Sequence, residues 1–135
     1  MKKVDRTKAR CYRDRAQSFI EGMRLLSLDL ASYGNGVALL AVHAGISLAD
    51  AILIACTGRR SNEQDHHSVL QPLRALCGSR NTDQEGLNHL AWIISQKTDF
   101  AYGNRRLDPD KEVTMATLRA ERFVAWAYRC FPEIG

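Results

Sequence analysis

The stretch GRRSNEQDHH, residues 58–67, sets Arg59 and Arg60 ahead of His66 and His67. A guanidinium and an imidazole held against one phosphodiester can stabilise its charged transition state and move its proton. That is the chemistry of a metal-independent endoribonuclease. The same letters also read as a helix stop at Gly58, a polar loop and a helix start. Ser61 followed by Gln64 has the form of a capping box, and Glu63 and Asp65 fall where acids suit a helix N-terminus. Spacing alone does not choose between these readings, because an arginine in a loop and a histidine inside a helix need not converge.

A second group lies in the preceding apolar run, VALLAVHAGISLADAILIAC. His43, Ser47 and Asp50 stand at i, i+4 and i+7, so a helix puts all three on one face. A buried Asp is costly unless something answers it. Arg24, Lys97, Tyr102 and Arg122 are the candidates. A third group is KTDFAYGNRR, residues 97–106, where Arg105 and Arg106 follow a helix end that favours cations. Two readings cover these residues. One is a hydrogen-bonded network that keeps helices in register. The other is a polar cleft for a ligand phosphate, formed by His43, Ser47, Asp50, Lys97 and Tyr102 with Arg105 and Arg106 at its mouth.

Other chemistries lack their signatures. The chain has no GxSxG, HExxH or P-loop, and no GxGxxG after a strand. Cysteines 11, 56, 77 and 130 are far apart with no CxxC, which reads as free thiols in a reducing compartment. The His66–His67 pair has no Cys or carboxylate at zinc spacing, so neither a metal nor a cofactor is expected.

The elements that would position these residues are helical. Apolar spacing predicts a first helix over residues 7–30, ended by SYGNG at 32–36, and a second, apolar on nearly every side, over 37–57. A third starts near Ser61, carries an awkward Pro72 and stops at Gly78. A fourth spans about 83–102 and a fifth about 109–130, opened by Pro109. No alternating Val/Ile/Thr run signals a strand. The expectation is an all-α, compact up-and-down bundle of about five helices, one domain over residues 1–135.

Residues 1–24 carry eight Lys/Arg against three Asp/Glu, while the rest of the chain carries eleven against twelve. The basicity therefore belongs to the N-terminal segment 1–10 and the first helix. It reads as a phosphate-facing surface or as a solvated face. No run of 18 apolar residues and no apolar signal core is evident, so a cytoplasmic setting without a membrane span is expected.

Taken together, AVHAGISLADAILIACTGRRSNEQDHHSVLQPL, WIISQKTDFAY and ERFVAWA resemble the HEPN domain family over about residues 12–131. The resemblance implies a five-helix bundle, often found as a homodimer. Many members are RNA-cutting toxins or defence ribonucleases whose site is an Arg, a polar residue and a His in the fourth-helix region. Others lack that motif and are thought to bind RNA, nucleotides or a partner nucleotidyltransferase. Here the fourth-helix position reads Lys97-Thr98-Asp99-Phe100-Ala101-Tyr102, with no arginine and no histidine. The resemblance thus implies a non-catalytic member acting in a toxin–antitoxin or defence context. The alternatives are an endoribonuclease using Arg59 or Arg60 with His66 or His67, and a structural bundle without a ligand.

Overall fold

The computed structural model describes residues 1–62 and 65–135. It is an all-α helical bundle with one minimal β ladder. Helix α1 (Ala9–Leu26) passes through a 3-10 turn at Ser27–Asp29 into α2 (Leu30–Thr57). A 3-10 turn, His66–Val69, leads into α3 (Leu70–Arg80), and α4 (Glu85–Ser95) is followed after Gln96 by the short α5 (Lys97–Tyr102). A π-helical turn, Pro109–Val113, opens α6 (Thr114–Cys130).

Among the described residues these pieces join into four helical runs rather than the five expected, because the first two stay helical through Ser27–Asp29 instead of breaking at SYGNG. The chain turns three residues earlier, where Asp29 caps α2 by accepting from the Ser32 amide at 3.2 Å. Ser32–Gly36 then form the first turns of α2, and their small and polar side chains serve tertiary contacts. Asn35 Nδ2 donates to the Arg105 carbonyl at 3.0 Å, and Asn35 Oδ1 accepts from the Leu107 amide at 2.9 Å. Gly34 is buried, with Val113 Cγ2 3.3 Å from where its Cβ would sit.

Helix α2 is the axis of the bundle. Every residue from Ala44 to Ile54 is buried, as its all-round apolar sequence requires. Helix α1 folds back along it, so that Phe19 meets His43 with ring centroids 5.6 Å apart. Its inward residues are Ala16, Ile20 and Met23. Helix α6 supplies Ala116, Ala120, Phe123, Trp126 and Ala127 from another side. Helix α4 crosses close by: Ile93 Cγ2 lies 3.1 Å from the place of a Cβ on Gly45. The run Arg6–Thr57 contains a window long and apolar enough to cross a membrane by length and composition alone. Of its most apolar window, 83% is buried inside the bundle.

Two further expectations are corrected. Lys2–Lys3 pairs antiparallel with Arg59–Arg60, a ladder too short for any alternation in the sequence to announce. The Val4 amide extends it by donating to the Gly58 carbonyl at 2.8 Å. Gly58 itself ends α2 in the left-handed region, at φ +70°. Helix α3 runs past Gly78 to Arg80 and is closed by Asn81, also left-handed at φ +57°. Pro72 sits in the first turn of α3, where its missing N–H costs little.

Candidate functional site

The β ladder decides where the opening stretch goes. By pairing Arg59–Arg60 with the N-terminus, it turns the chain back across α2. Ser61 arrives fully buried against Asp50. Its amide donates to Asp50 Oδ1 at 2.7 Å, and its hydroxyl donates to Asp50 Oδ2 at 3.0 Å. Ser61, expected to open a capping box, gives its amide and hydroxyl protons to α2, and the next helical turn among the described residues is His66–Val69, with Asp65 at its N-cap. Gln64, its expected partner, and Glu63 lie outside the described residues. Asp50 is likewise not answered by Arg24, Lys97, Tyr102 or Arg122, the four candidates from sequence. Arg24 instead pairs in bidentate fashion with Glu121, and Arg122 lines a separate cleft beside His89.

Ser61 also touches the other half of the stretch. Its Oγ lies 3.2 Å from His66 Nδ1. Asp50, Ser61 and His66 thus form a chain from the buried core to the wall of a cleft of about 520 Å³ between α1 and α2. His43, Ser47, Asp50, Arg60 and His66 line that cleft, with Tyr12, Arg15, Phe19 and Ile46. The two groups that sequence kept apart, the α2 stripe and part of the GRRSNEQDHH stretch, share one site.

The charges are arranged around Tyr12. The Arg15 guanidinium carbon lies 4.9 Å from the centre of its ring and that of Arg60 lies 5.9 Å away, both in cation–π range. Among the described residues Arg15 makes no ion pair with a carboxylate. Burial lowers the His43 imidazole below its ordinary pKa, and the positive charge of Lys97 lowers it further. The same two causes, in the same order, lower His66, against a raising pull from Asp50. Burial raises the Asp50 carboxyl, opposed by the bonds from Ser61 and by the charges of His66 and Arg60. Among its described lining residues the cleft accordingly offers the Arg15 guanidinium and two imidazoles whose neutral form is favoured, while the Asp50 carboxylate is held by the buried Ser61 donors.

The remaining sequence candidates lie elsewhere. Lys97 acts on the cleft through its charge rather than as a lining residue. Tyr102 is 79% exposed at the end of α5 and does not line the cleft. Arg105 is held by Asp99 and Glu112 at 2.7 and 2.6 Å, and Arg106 donates to the Ala31 carbonyl at 2.7 Å. Ala31 and His43 are separated by about 18 Å along α2 at the helical rise, so neither arginine stands at the cleft mouth. Arg59 and His67 are exposed and turned away from the lining set. Sequence reasoning missed Tyr12, Arg15 and Phe19. Their i, i+3, i+7 spacing on the basic first helix was the available signal. Among the described residues, no group of three or more His, Cys, Asp or Glu side chains is placed to hold a metal ion.

No protein-family model matches the chain, and no curated protein matches it.

Proposed function

We propose that this chain is a HEPN-like helical protein that binds a phosphate-bearing ligand, RNA or a nucleotide, in the cleft between α1 and α2, and that it does so without cleaving it. The observation that carries this reading is Arg15. It has no carboxylate partner among the described residues, it lies over Tyr12, and it lines the same cleft as His43 and His66. A cation held against an aromatic face and left without a counter-ion is ready for an anion. Ser61 is fully buried, so it reaches no ligand and is no nucleophile. The resemblance stated above extends the proposal to a cytoplasmic homodimer acting with a nucleotidyltransferase in a toxin–antitoxin or defence setting.

The test is calorimetric titration of the protein with a short single-stranded RNA and with inorganic phosphate. A charge-assisted hydrogen bond contributes about 1.5–3 kcal/mol, so Arg15→Glu is expected to weaken binding at least tenfold. Unchanged affinity in that variant would remove the cleft as the binding site.

One observation favours a second reading, the endoribonuclease: Arg60 and His66 line one cleft. Arg59 and His67 do not share it, so the pair narrows to Arg60 and His66. Metal-free cleavage of single-stranded and transfer RNA that disappears in His66→Ala would establish that activity. Cleavage that survives in His66→Ala would end the assignment.

A further inference from the structure

The chain Asp50–Ser61–His66 carries information about hydrogen-bond direction. A serine hydroxyl has a single proton. Here that proton goes to Asp50 Oδ2 at 3.0 Å, a charge-assisted bond to a carboxylate only 4% exposed. Reversing the hydroxyl toward His66 would leave this buried oxygen without its donor. The 3.2 Å contact between Ser61 Oγ and His66 Nδ1 is then a hydrogen bond only if Nδ1 carries the proton and donates to Oγ. In a neutral imidazole so arranged, Nε2 is a bare acceptor. It lies on the ring edge away from Nδ1. Nδ1 is turned to the buried serine, and the half-buried ring lines the cleft.

We propose that Ser61 and Asp50 are positioning residues that hold His66 with Nε2 as a hydrogen-bond acceptor facing the cleft, so that the site selects a phosphate ester carrying a hydroxyl donor close to its phosphate, the combination a ribonucleotide has and a 2′-deoxyribonucleotide lacks. This rests on the phosphate reading of the cleft. Arg15 takes phosphate oxygens. An acceptor nitrogen does not, because two lone pairs repel, but it does take a hydroxyl. A ligand without that hydroxyl leaves Nε2 facing phosphate oxygen or trapped water, and a polar group built for a partner discriminates against an analogue that lacks it. His43 lines the same cleft from α2 with its ring against Phe19, and Lys97 adds positive charge nearby.

The experiment compares adenosine 3′-monophosphate with 2′-deoxyadenosine 3′-monophosphate by calorimetry at pH 7.5, on the wild type and on Asp50→Asn. The substitution keeps the shape and reverses the relay. The Ser61 amide must still find an acceptor, so the new carboxamide oxygen stays at Oδ1 and its NH2 faces Ser61 Oγ. The hydroxyl proton is then redirected to His66 Nδ1, and Nε2 gains the proton. About tenfold tighter binding of the ribonucleotide is expected in the wild type, as one hydrogen bond supplies, and a ratio near one in Asp50→Asn. Long-range proton–nitrogen NMR of the histidine rings reads the protonated nitrogen directly and does not depend on any ligand: Nδ1 in the wild type, Nε2 in the variant. Equal affinity of the two nucleotides for the wild type, a preference retained in Asp50→Asn, or a wild-type ring protonated at Nε2 each overturns the inference. If both nucleotides bind equally and both are lost in Arg15→Glu, the cleft reading stands and only the hydroxyl selection falls. If neither nucleotide nor inorganic phosphate binds, both fall.

Discussion

Replacing Asp50 by alanine tests whether the Asp50–Ser61 junction holds the 58–67 segment on α2. Asp50 accepts two bonds from a residue that is itself fully buried, at 2.7 Å from the amide and 3.0 Å from the hydroxyl. Hydrogen bonds to a charged group contribute about 1.5–3 kcal/mol each, and a buried donor left without a partner costs about 1–3 kcal/mol. Part of this is already offset, since burial of the carboxylate works against its ionisation. The net expectation for Asp50→Ala is a loss of about 3 kcal/mol. Asp50→Asn keeps the acceptor for the Ser61 amide and is expected to cost about 1 kcal/mol. In urea, with an unfolding slope of about 2 kcal/mol per molar, the alanine variant should move the midpoint down by about 1.5 M. A double-mutant cycle with Ser61→Ala should return a coupling of about 1 kcal/mol or more, because the two side chains share one bond. A midpoint shift for Asp50→Ala below about 0.3 M, or a larger loss for Asp50→Asn than for Asp50→Ala, would refute the reasoning.

Three other outcomes are expected. A Cβ on Gly86 would collide with the indole ring of Trp126, so Gly86→Ala should overpack the α4–α6 contact, cost about 3 kcal/mol or more, and alter the near-ultraviolet circular dichroism of Trp126. Asn35→Ala removes both ties to residues 105 and 107 and should lower stability by about 1–2 kcal/mol in denaturant titration, with faster amide exchange at Leu107. The pH dependence follows from the histidines: folded His43 and His66 titrate below the ordinary imidazole value of 6.5, so the unfolded chain binds the protons first. Their contribution to stability is present above that value and lost as pH falls through it toward the folded pKa values. Urea midpoints measured from pH 7.5 to 5 should decline in the wild type and decline less in His66→Gln. Asp50, with its carboxyl raised by burial, works in the opposite direction: stability rises as pH falls through its folded value toward 3.8.

Much of the bundle was legible because helix signals are local. The apolar run of α2 announced a helix buried on every side, and Ala44–Ile54 are buried without interruption. Gly58 announced its stop, and Pro109 the start of the last helical run. SYGNG misled because the same small and polar residues serve two ends. They break a helix when exposed, and they let a neighbour approach or reach a loop when packed, as Gly34 and Asn35 do against Val113 and residues 105–107.

For the site, sequence determined the ingredients: a stripe of His43, Ser47 and Asp50 set by helical period, and a polar segment with Arg60 and His66 just after the stop. It also determined that Asp50 needed a partner, since a buried carboxylate must be hydrogen-bonded. Which partner was a tertiary decision. A two-residue ladder between Lys2–Lys3 and Arg59–Arg60 has no sequence pattern long enough to predict, yet it turns Ser61 onto Asp50 and brings His66 into the wall behind it. The same fold separates what numbering seemed to join. Arg60 and His66 enter the cleft with Tyr12 and Arg15 from α1, while Arg59 and His67 face outward and Arg105 and Arg106 are drawn to the far end of α2 by Asp99, Glu112 and the Ala31 carbonyl. Periodicity fixes which face of a helix a side chain occupies. Only packing between distant segments fixes what that face meets.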